Sequence, residues 1–143
     1  MGIAGKLQSH PLFATFSPDA LSQAARAGTV TTYEPGDVCI RQGEAGEVFG
    51  VLLSGRLEVV GDHDTPHRRR LGEIRPGECF GEMSLLTGNP TIAEIIALEK
   101  SQAVVFLQEE ISPVIATNPD AVRFLTRMIA ARLAPPAGGS SRP

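Results

Sequence analysis

The chain has 143 residues, a formal net charge of -3, and 42% hydrophobic and 20% charged residues. Such a length and apolar content suit one domain with a buried core and exclude a disordered chain. The near-neutral charge excludes a protein held to nucleic acid by bulk electrostatics. Gly 15 and Pro 11 in so short a sequence mean many turns and short elements, which argues against a helical bundle.

The first thirty residues read as helical. Leu12, Phe13 and Phe16 cluster beside Pro11, and Ser17-Pro18-Asp19 then opens a helix. A serine hydroxyl can cap an orphan backbone N–H, a proline at the first helical position loses no bond, and an aspartate suits the positive helix end. Gly28 is the expected stop. The opening MGIAGKLQSHPLF lacks the apolar run and small-residue cleavage site of an export signal. Lys6 stands where a myristoylation motif needs Ser or Thr. No stretch approaches about 18 uninterrupted apolar residues, so membrane insertion is not expected. The expected location is cytoplasmic, with Cys39 and Cys79 as free core thiols.

From Thr29 to Leu107 short apolar or β-branched runs alternate with glycine turns. The runs are Thr29–Tyr33, Val38–Ile40, Val48–Leu53, Leu57–Val60, Arg70–Ile74, Ile92–Leu98 and Ala103–Leu107. Pro35-Gly36-Asp37 and Pro76-Gly77-Glu78 fit type II turns, in which proline presets the first φ and glycine supplies the positive second one. Their likeness is a weak internal echo of a double-wound roll. After Leu107, Gln108–Ala116 predicts a short helix with Pro113 as boundary or kink. Asn118-Pro119-Asp120 repeats the capping pattern and opens a last helix through Leu133. Val122, Leu125, Ile129 and Leu133 share one face of it, which Phe124 and Met128 widen. The predicted fold is mainly β with flanking helices: a double-stranded β-helix, or jelly-roll, barrel with an N-terminal helix and two C-terminal helices. Residues 1–133 form the domain, and 134–143 (APPAGGSSRP) read as a flexible tail or linker.

The stretch from Cys79 to Leu98 carries the most chemistry. A strand end leads to Gly81, a short helical segment Glu82–Leu86, a Gly88-Asn89-Pro90 turn, and a strand beginning near Thr91. The first turn of a helix offers free backbone N–H groups, and a glycine before it lets a ligand approach them. Such a cradle holds phosphate without a cationic side chain. Glu82 would repel phosphate but can accept a hydrogen bond from a ribose hydroxyl. A plain turn helix with an exposed glutamate satisfies the same spacing.

Other candidates are thinner. His63 and His67, with Asp62 and Asp64, sit in one loop beside Arg68-Arg69-Arg70 with no second ligand pair, so no metal is expected. No Ser or Cys sits in a Gly-x-Ser-x-Gly elbow, so the chain is not expected to be an enzyme. Arg56, Arg70 and Arg75 read as surface side chains that snorkel along the barrel, and Arg123 and Arg127 as a solvated helix face.

Phe80-Gly81-Glu82-Met83-Ser84-Leu85, followed by Leu86–Asn89 and Pro90-Thr91-Ile92-Ala93-Glu94-Ile95, resembles the phosphate-binding cassette of the cyclic-nucleotide-binding domain. This is the family of the bacterial catabolite activator, protein kinase A regulatory subunits and many channels. Gly43-Glu44-Ala45-Gly46-Glu47 and Leu53-Ser54-Gly55-Arg56-Leu57-Glu58-Val59 resemble its glycine-marked hairpins. The resemblance covers roughly Leu12 to Leu133. It implies that Phe80, Gly81 and the backbone of Met83 and Ser84 surround a cyclic phosphate and that Glu82 binds the ribose hydroxyl. Thr91, Ile92 and Ala93 would flank the pocket. The last helix, through Phe124, Leu125 and Met128, would lid the purine or pair with a second copy. The implied ligand is cyclic AMP or cyclic GMP, with no cofactor.

One position departs from the family pattern: its phosphate-forking arginine is Thr91 here, and the next residue, usually small or hydroxylated, is Ile92. A hydroxyl gives one neutral bond where a guanidinium gives a charged, often bidentate pair. The loss costs on the order of 2–5 kcal/mol at a desolvated anion, roughly thirty- to several-thousand-fold in affinity. Two functions are therefore expected in parallel. One is a regulatory sensor of a phosphate-bearing ligand. The other is a degenerate pseudo-sensor that serves as a docking or dimerisation domain. Partners would be a second copy or a fused or separate effector domain, with no direct nucleic-acid contact, and the chain can equally be a piece of a larger protein.

Overall fold

The N-terminal helical stretch divides at its prolines. In the computed structural model, which describes residues 3–41, 48–62, 65–81 and 93–133, α1 spans Ile3–Gln8, a 3-10 helix spans Pro11–Thr15, and α2 spans Pro18–Ala27. Pro18 opens α2, and the Ser17 hydroxyl accepts from the Ala20 N–H at 3.2 Å. Gly28 ends α2, but not in the left-handed conformation expected of a stop: its φ is -90°. Glycine is needed there because a Cβ would lie 2.6 Å from Val104 Cγ1 and 2.8 Å from Phe106 Cε2. The constraint is close packing of the helix end on a strand.

Among the described residues eight strands follow: β1 (Thr29–Tyr33), β2 (Val38–Ile40), β3 (Val48–Ser54), β4 (Leu57–Gly61), β5 (Arg69–Ile74), β6 (Cys79–Phe80), β7 (Glu94–Ala97) and β8 (Ser101–Leu107). They form two four-stranded antiparallel sheets, ordered β1-β8-β3-β6 and β2-β7-β4-β5. This is the jelly roll expected from the turn spacing. The two sheets stay separate, so the roll is a sandwich and not a closed barrel. Two helices, α3 (Gln108–Ala116) and α4 (Pro119–Leu133), complete the described chain. Pro113 lies inside α3 without ending it.

The Pro-Gly turns are corners at which the chain passes from one sheet to the other. Glu34–Asp37 joins β1 to β2, and Arg75–Glu78 joins β5 to β6. Both are type II turns, with Gly36 at φ +90° and Gly77 at φ +92°. They share one closing pattern. The backbone N–H of the fourth residue bonds the carbonyl of the first at 3.0 Å, and the acidic side chain of the fourth accepts from the N–H of the first at 2.8 Å. A third corner, between β3 and β4, carries Gly55 at φ +90°. A Cβ there would overlap the backbone and hydroxyl of buried Ser101. The corners are stitched together: Gly36 N–H to Ala97 O at 2.8 Å, Leu98 N–H to Arg56 O at 2.9 Å, and Gly77 N–H to Leu52 O at 3.1 Å.

Two cores result. Between the sheets lie Ile40, Leu52, Leu57, Ile74, Phe80, Ile95, Ala97 and Ala103. Against the far face of the first sheet, the described helical elements pack Leu7, Phe13, Ala24, Ile111, Ile115 and Leu125 onto Phe49, Val51, Val104 and Phe106. The ring of Phe106 lies 5.9 Å from that of Phe13 and 6.1 Å from that of Phe49, within aromatic contact. Among the described residues, no helix is long and apolar enough to cross a membrane. Cys79 is buried, Cys39 is half-buried, and the two are not joined by a disulfide.

His10 joins the N-terminal segment to a corner. It is 2% exposed, its Nδ1 accepts from the Leu12 N–H at 3.2 Å, and its Nε2 donates to Glu78 O at 3.1 Å. Those two bonds need the neutral ring, because a protonated Nδ1 cannot accept. Burial lowers its pKa below the ordinary 6.5, and the bond to Glu78 offsets this only in part. The unfolded chain therefore binds the extra proton first. The contribution of His10 is fully present above pH 6.5 and is lost as pH falls from there toward the depressed folded value. Urea unfolding of the wild type and His10→Asn at pH values from about 7.5 to about 5 should show their stability difference shrinking by up to about 1.4 kcal/mol per pH unit. A difference constant across that range would contradict a neutral, buried ring.

Candidate functional site

The candidate site begins where β3 starts and β6 and β8 end. β6 has only two residues, paired in register as Gly50↔Phe80 and Val51↔Cys79. Phe80 is 1% exposed, and its ring lies over Gly50, where a Cβ would overlap it. Gly50 thus makes the seat for Phe80, and Phe80 holds the strand end that carries Gly81. Gly81 has φ +82°, which turns the chain out of the β3–β6 ladder. It also sits so close to the Val48 carbonyl oxygen that a Cβ would overlap that atom. Both the dihedral and the contact make any other residue costly there.

A residue that sequence reasoning did not single out meets this turn. Gln108, the first residue of α3, donates from Nε2 to Val48 O and to Gly81 O, each at 3.1 Å. Gln108 lay inside a predicted helix, and nothing in its spacing marked a contact with a carbonyl 27 residues away.

Ala93 is 6% exposed and immediately precedes β7. Glu82, Met83, Ser84, Thr91 and Ile92 lie outside the described residues, as do the expected helical segment Glu82–Leu86, the expected Gly88-Asn89-Pro90 turn, Gly43–Glu47 and the expected tail 134–143. On α4 the three expected lid or pairing residues separate. Leu125 is fully buried in the helical core and cannot face a ligand or a second copy in this arrangement. Phe124 and Met128 are half-buried. With Thr15, Asp120, Arg123 and Arg127 they line an open groove of about 530 Å³ between the 3-10 helix and α4. None of Phe80, Gly81 and Ala93 is among its lining residues.

Five of the described arginines pair with carboxylates. Glu58 and Glu73 stand directly opposite each other on β4 and β5, an arrangement that repels unless cations intervene. Arg68 reaches Glu58 at 2.9 Å, Arg70 reaches both acids, and Arg75 and Arg56 reach Glu73 at 3.3 and 3.4 Å. Arg56 also pairs with Glu99 at 3.1 Å, and on α4 Arg123 pairs with Asp120. Among the described residues, no three His, Cys, Asp or Glu side chains are placed to hold a metal. His63 and Asp64 lie outside them. Burial, and then the charge of Asp37, push the Cys39 thiol up to about 12, which keeps it protonated and unreactive.

Comparison with known proteins gives the site a context. The family described as "Cyclic nucleotide-binding domain" matches residues 30–118, well over half of the chain. The "Cyclic AMP receptor protein" of Thermus thermophilus is 28% identical over 127 residues, 89% of this chain and 59% of that protein. The "cAMP-dependent protein kinase regulatory subunit" of Blastocladiella emersonii is 33% identical over 94 residues, 66% of this chain and 23% of that protein. The chain thus spans less than two thirds of the curated relatives it matches. Among solved structures, the regulatory subunit of a cAMP-independent protein kinase A from Trypanosoma brucei shares the fold, with a TM-score of 0.76 over 91% of this chain and 50% of that one, at 22% identity.

Two glycines with nearly the same φ separate dihedral strain from close contact. Gly36 has nothing within 4 Å of its would-be Cβ, whereas Gly81 has the Val48 carbonyl. In urea unfolding, Gly36→Ala should cost about 1–2 kcal/mol from the left-handed backbone alone. Gly81→Ala should cost more, by about 1–3 kcal/mol for the added overlap. Equal costs would mean that the Val48 contact does not constrain the site.

Proposed function

The chain belongs to the cyclic nucleotide-binding domain family, and from that membership we propose that it is a regulatory module that senses a small phosphate-bearing ligand such as a cyclic nucleotide. The observation that supports this most is Gly81. It is a strand end turned at φ +82°, from which a cassette of the family pattern runs on, and its carbonyl is bonded to the first residue of α3. In this reading the backbone of Gly81, Met83 and Ser84 receives the phosphate, and Glu82 accepts from a ribose hydroxyl. The Thr91 hydroxyl supplies one neutral bond, with Ile92 and Ala93 beside it. Binding shifts α3 and α4, with Phe124 and Met128 as the side chains of α4 able to meet a ligand or a second chain. The module performs no catalysis and acts through a partner or fused effector domain. A ligand shifts the helices only by binding one arrangement more tightly than the other.

Thr91 favours a second reading, in which the fold is kept as a docking or dimerisation domain without cyclic nucleotide binding. The fold itself does not choose between the two, since the regulatory subunit of a kinase described as cAMP-independent also has it.

Calorimetric titration with cyclic AMP, cyclic GMP and cyclic di-GMP separates them. On the sensing reading the wild type binds weakly, and Thr91→Arg tightens binding by roughly thirtyfold or more, the gain from a charge-assisted contact. If neither protein releases or takes up heat at millimolar ligand, and neither is thermally stabilised, sensing of cyclic nucleotides fails and the docking reading stands.

A further inference from the structure

The two carbonyl oxygens that Gln108 reaches belong to one break in the β3–β6 ladder. One further step of the register would set Gly81 opposite Phe49. The chain instead turns at Gly81, and Val48 O and Gly81 O are left beyond the last paired residues of β6. The single NH2 of Gln108 takes both, at 3.1 Å each. Its orientation follows from chemistry, because the amide oxygen in that place would face two other acceptors.

The other end of this residue belongs to a different part of the molecule. Gln108 follows β8 directly and is the first residue of α3. Leu107, at the cap position, makes no side-chain capping bond. The side chain that starts the helix therefore reaches across to the roll and does not cap its own backbone. Behind it, α3 buries Ile111, Val114 and Ile115 in the helical core, together with Ala24 of α2 and Ala121 and Leu125 of α4.

We propose that Gln108 is a positioning residue that couples the peptide leaving Gly81 to the C-terminal helices. That peptide cannot rotate without giving up a bond held by the first turn of α3, and α3 cannot shift without pulling on the peptide. Donor and acceptors are all uncharged, so the link is modest and can open and re-form. The coupling exists in the free protein; only its use as a relay rests on the ligand reading proposed above.

Amide hydrogen exchange on the free, full chain tests the link. Gln108→Met keeps the length of the side chain and removes the donor. It should speed exchange at Phe80, Gly81 and residues 108–111 by about tenfold, the value of one neutral hydrogen bond, and leave the β4–β5 hairpin unchanged. Gln108→Lys, which restores a donor, should return those amides toward wild type. Exchange that rises evenly over the whole molecule, that does not rise at those positions, or that is as fast in the lysine variant as in the methionine variant overturns the proposal. Amide resonances followed during titration with cyclic AMP provide the relay test. In the wild type, shifts at Gly81 should be accompanied by shifts at residues 109–111; in Gln108→Met only Gly81 should respond, and equal responses in both proteins overturn the relay. If cyclic AMP, cyclic GMP and cyclic di-GMP all move no resonance in either protein, sensing of cyclic nucleotides fails, while the exchange result still decides the role of Gln108.

Discussion

Three strands of one sheet, β8, β3 and β6, are covered on both faces, and the rest of the molecule is arranged by that constraint. Along β8, Val104 and Phe106 face the helices while Ala103 and Val105 face the second sheet. Along β3, Phe49 and Val51 face one way and Val48 and Leu52 the other. A strand covered on both sides cannot alternate apolar with polar residues, so β3 reads as the nearly continuous apolar run Val48–Leu53. Three layers packed at interior density leave no room at their points of closest approach. Gly28 and Gly50 occupy two of them, one under a helix end and one under the Phe80 ring.

Much of this was legible along the chain. The observed β1 and β2 coincide with their apolar runs, and β3, β4, β5 and β8 differ from theirs by one or two residues at an end. Local chemistry decides such boundaries: a β-branched run, and the Pro-Gly pair that stops it. What could not be read is pairing between distant segments. The Pro-Gly turns are recognisable as turns, but that they are corners between sheets depends on β1 finding β8 and β6 finding β3. Gly28 could be placed at a helix end, but its reason is a contact with β8. The apolar face of α4 could be drawn, but not which of its members the core would take. Leu125 went inward, and Phe124 and Met128 stayed at the surface. Gln108 left no pattern at all, because its partners are backbone carbonyls, which every residue has.

The cassette residues divide in the same way. Phe80 and Gly81 carry the family likeness, yet the roll demands both without any ligand: Phe80 fills the space above Gly50, and Gly81 passes the Val48 carbonyl. A chain that had given up its ligand would keep them for stability. The position that speaks most directly to binding is Thr91, where the family pattern has an arginine.

The arginines around Glu58 and Glu73 have a further consequence. β5 is the outer strand of the second sheet, and such a strand offers a row of backbone groups to any passing chain. On β5 the exposed residues are Arg69, Arg70 and Leu71, and Arg70 is tied to both acids. Another strand docking here would have to strip water from guanidinium groups and dismantle their ion pairs before its first backbone bond formed. The cluster adds little to folding stability, as exposed pairs seldom do. Its physical consequence lies in the encounter between molecules, where a charged edge is a poorer template for a second strand than an apolar one.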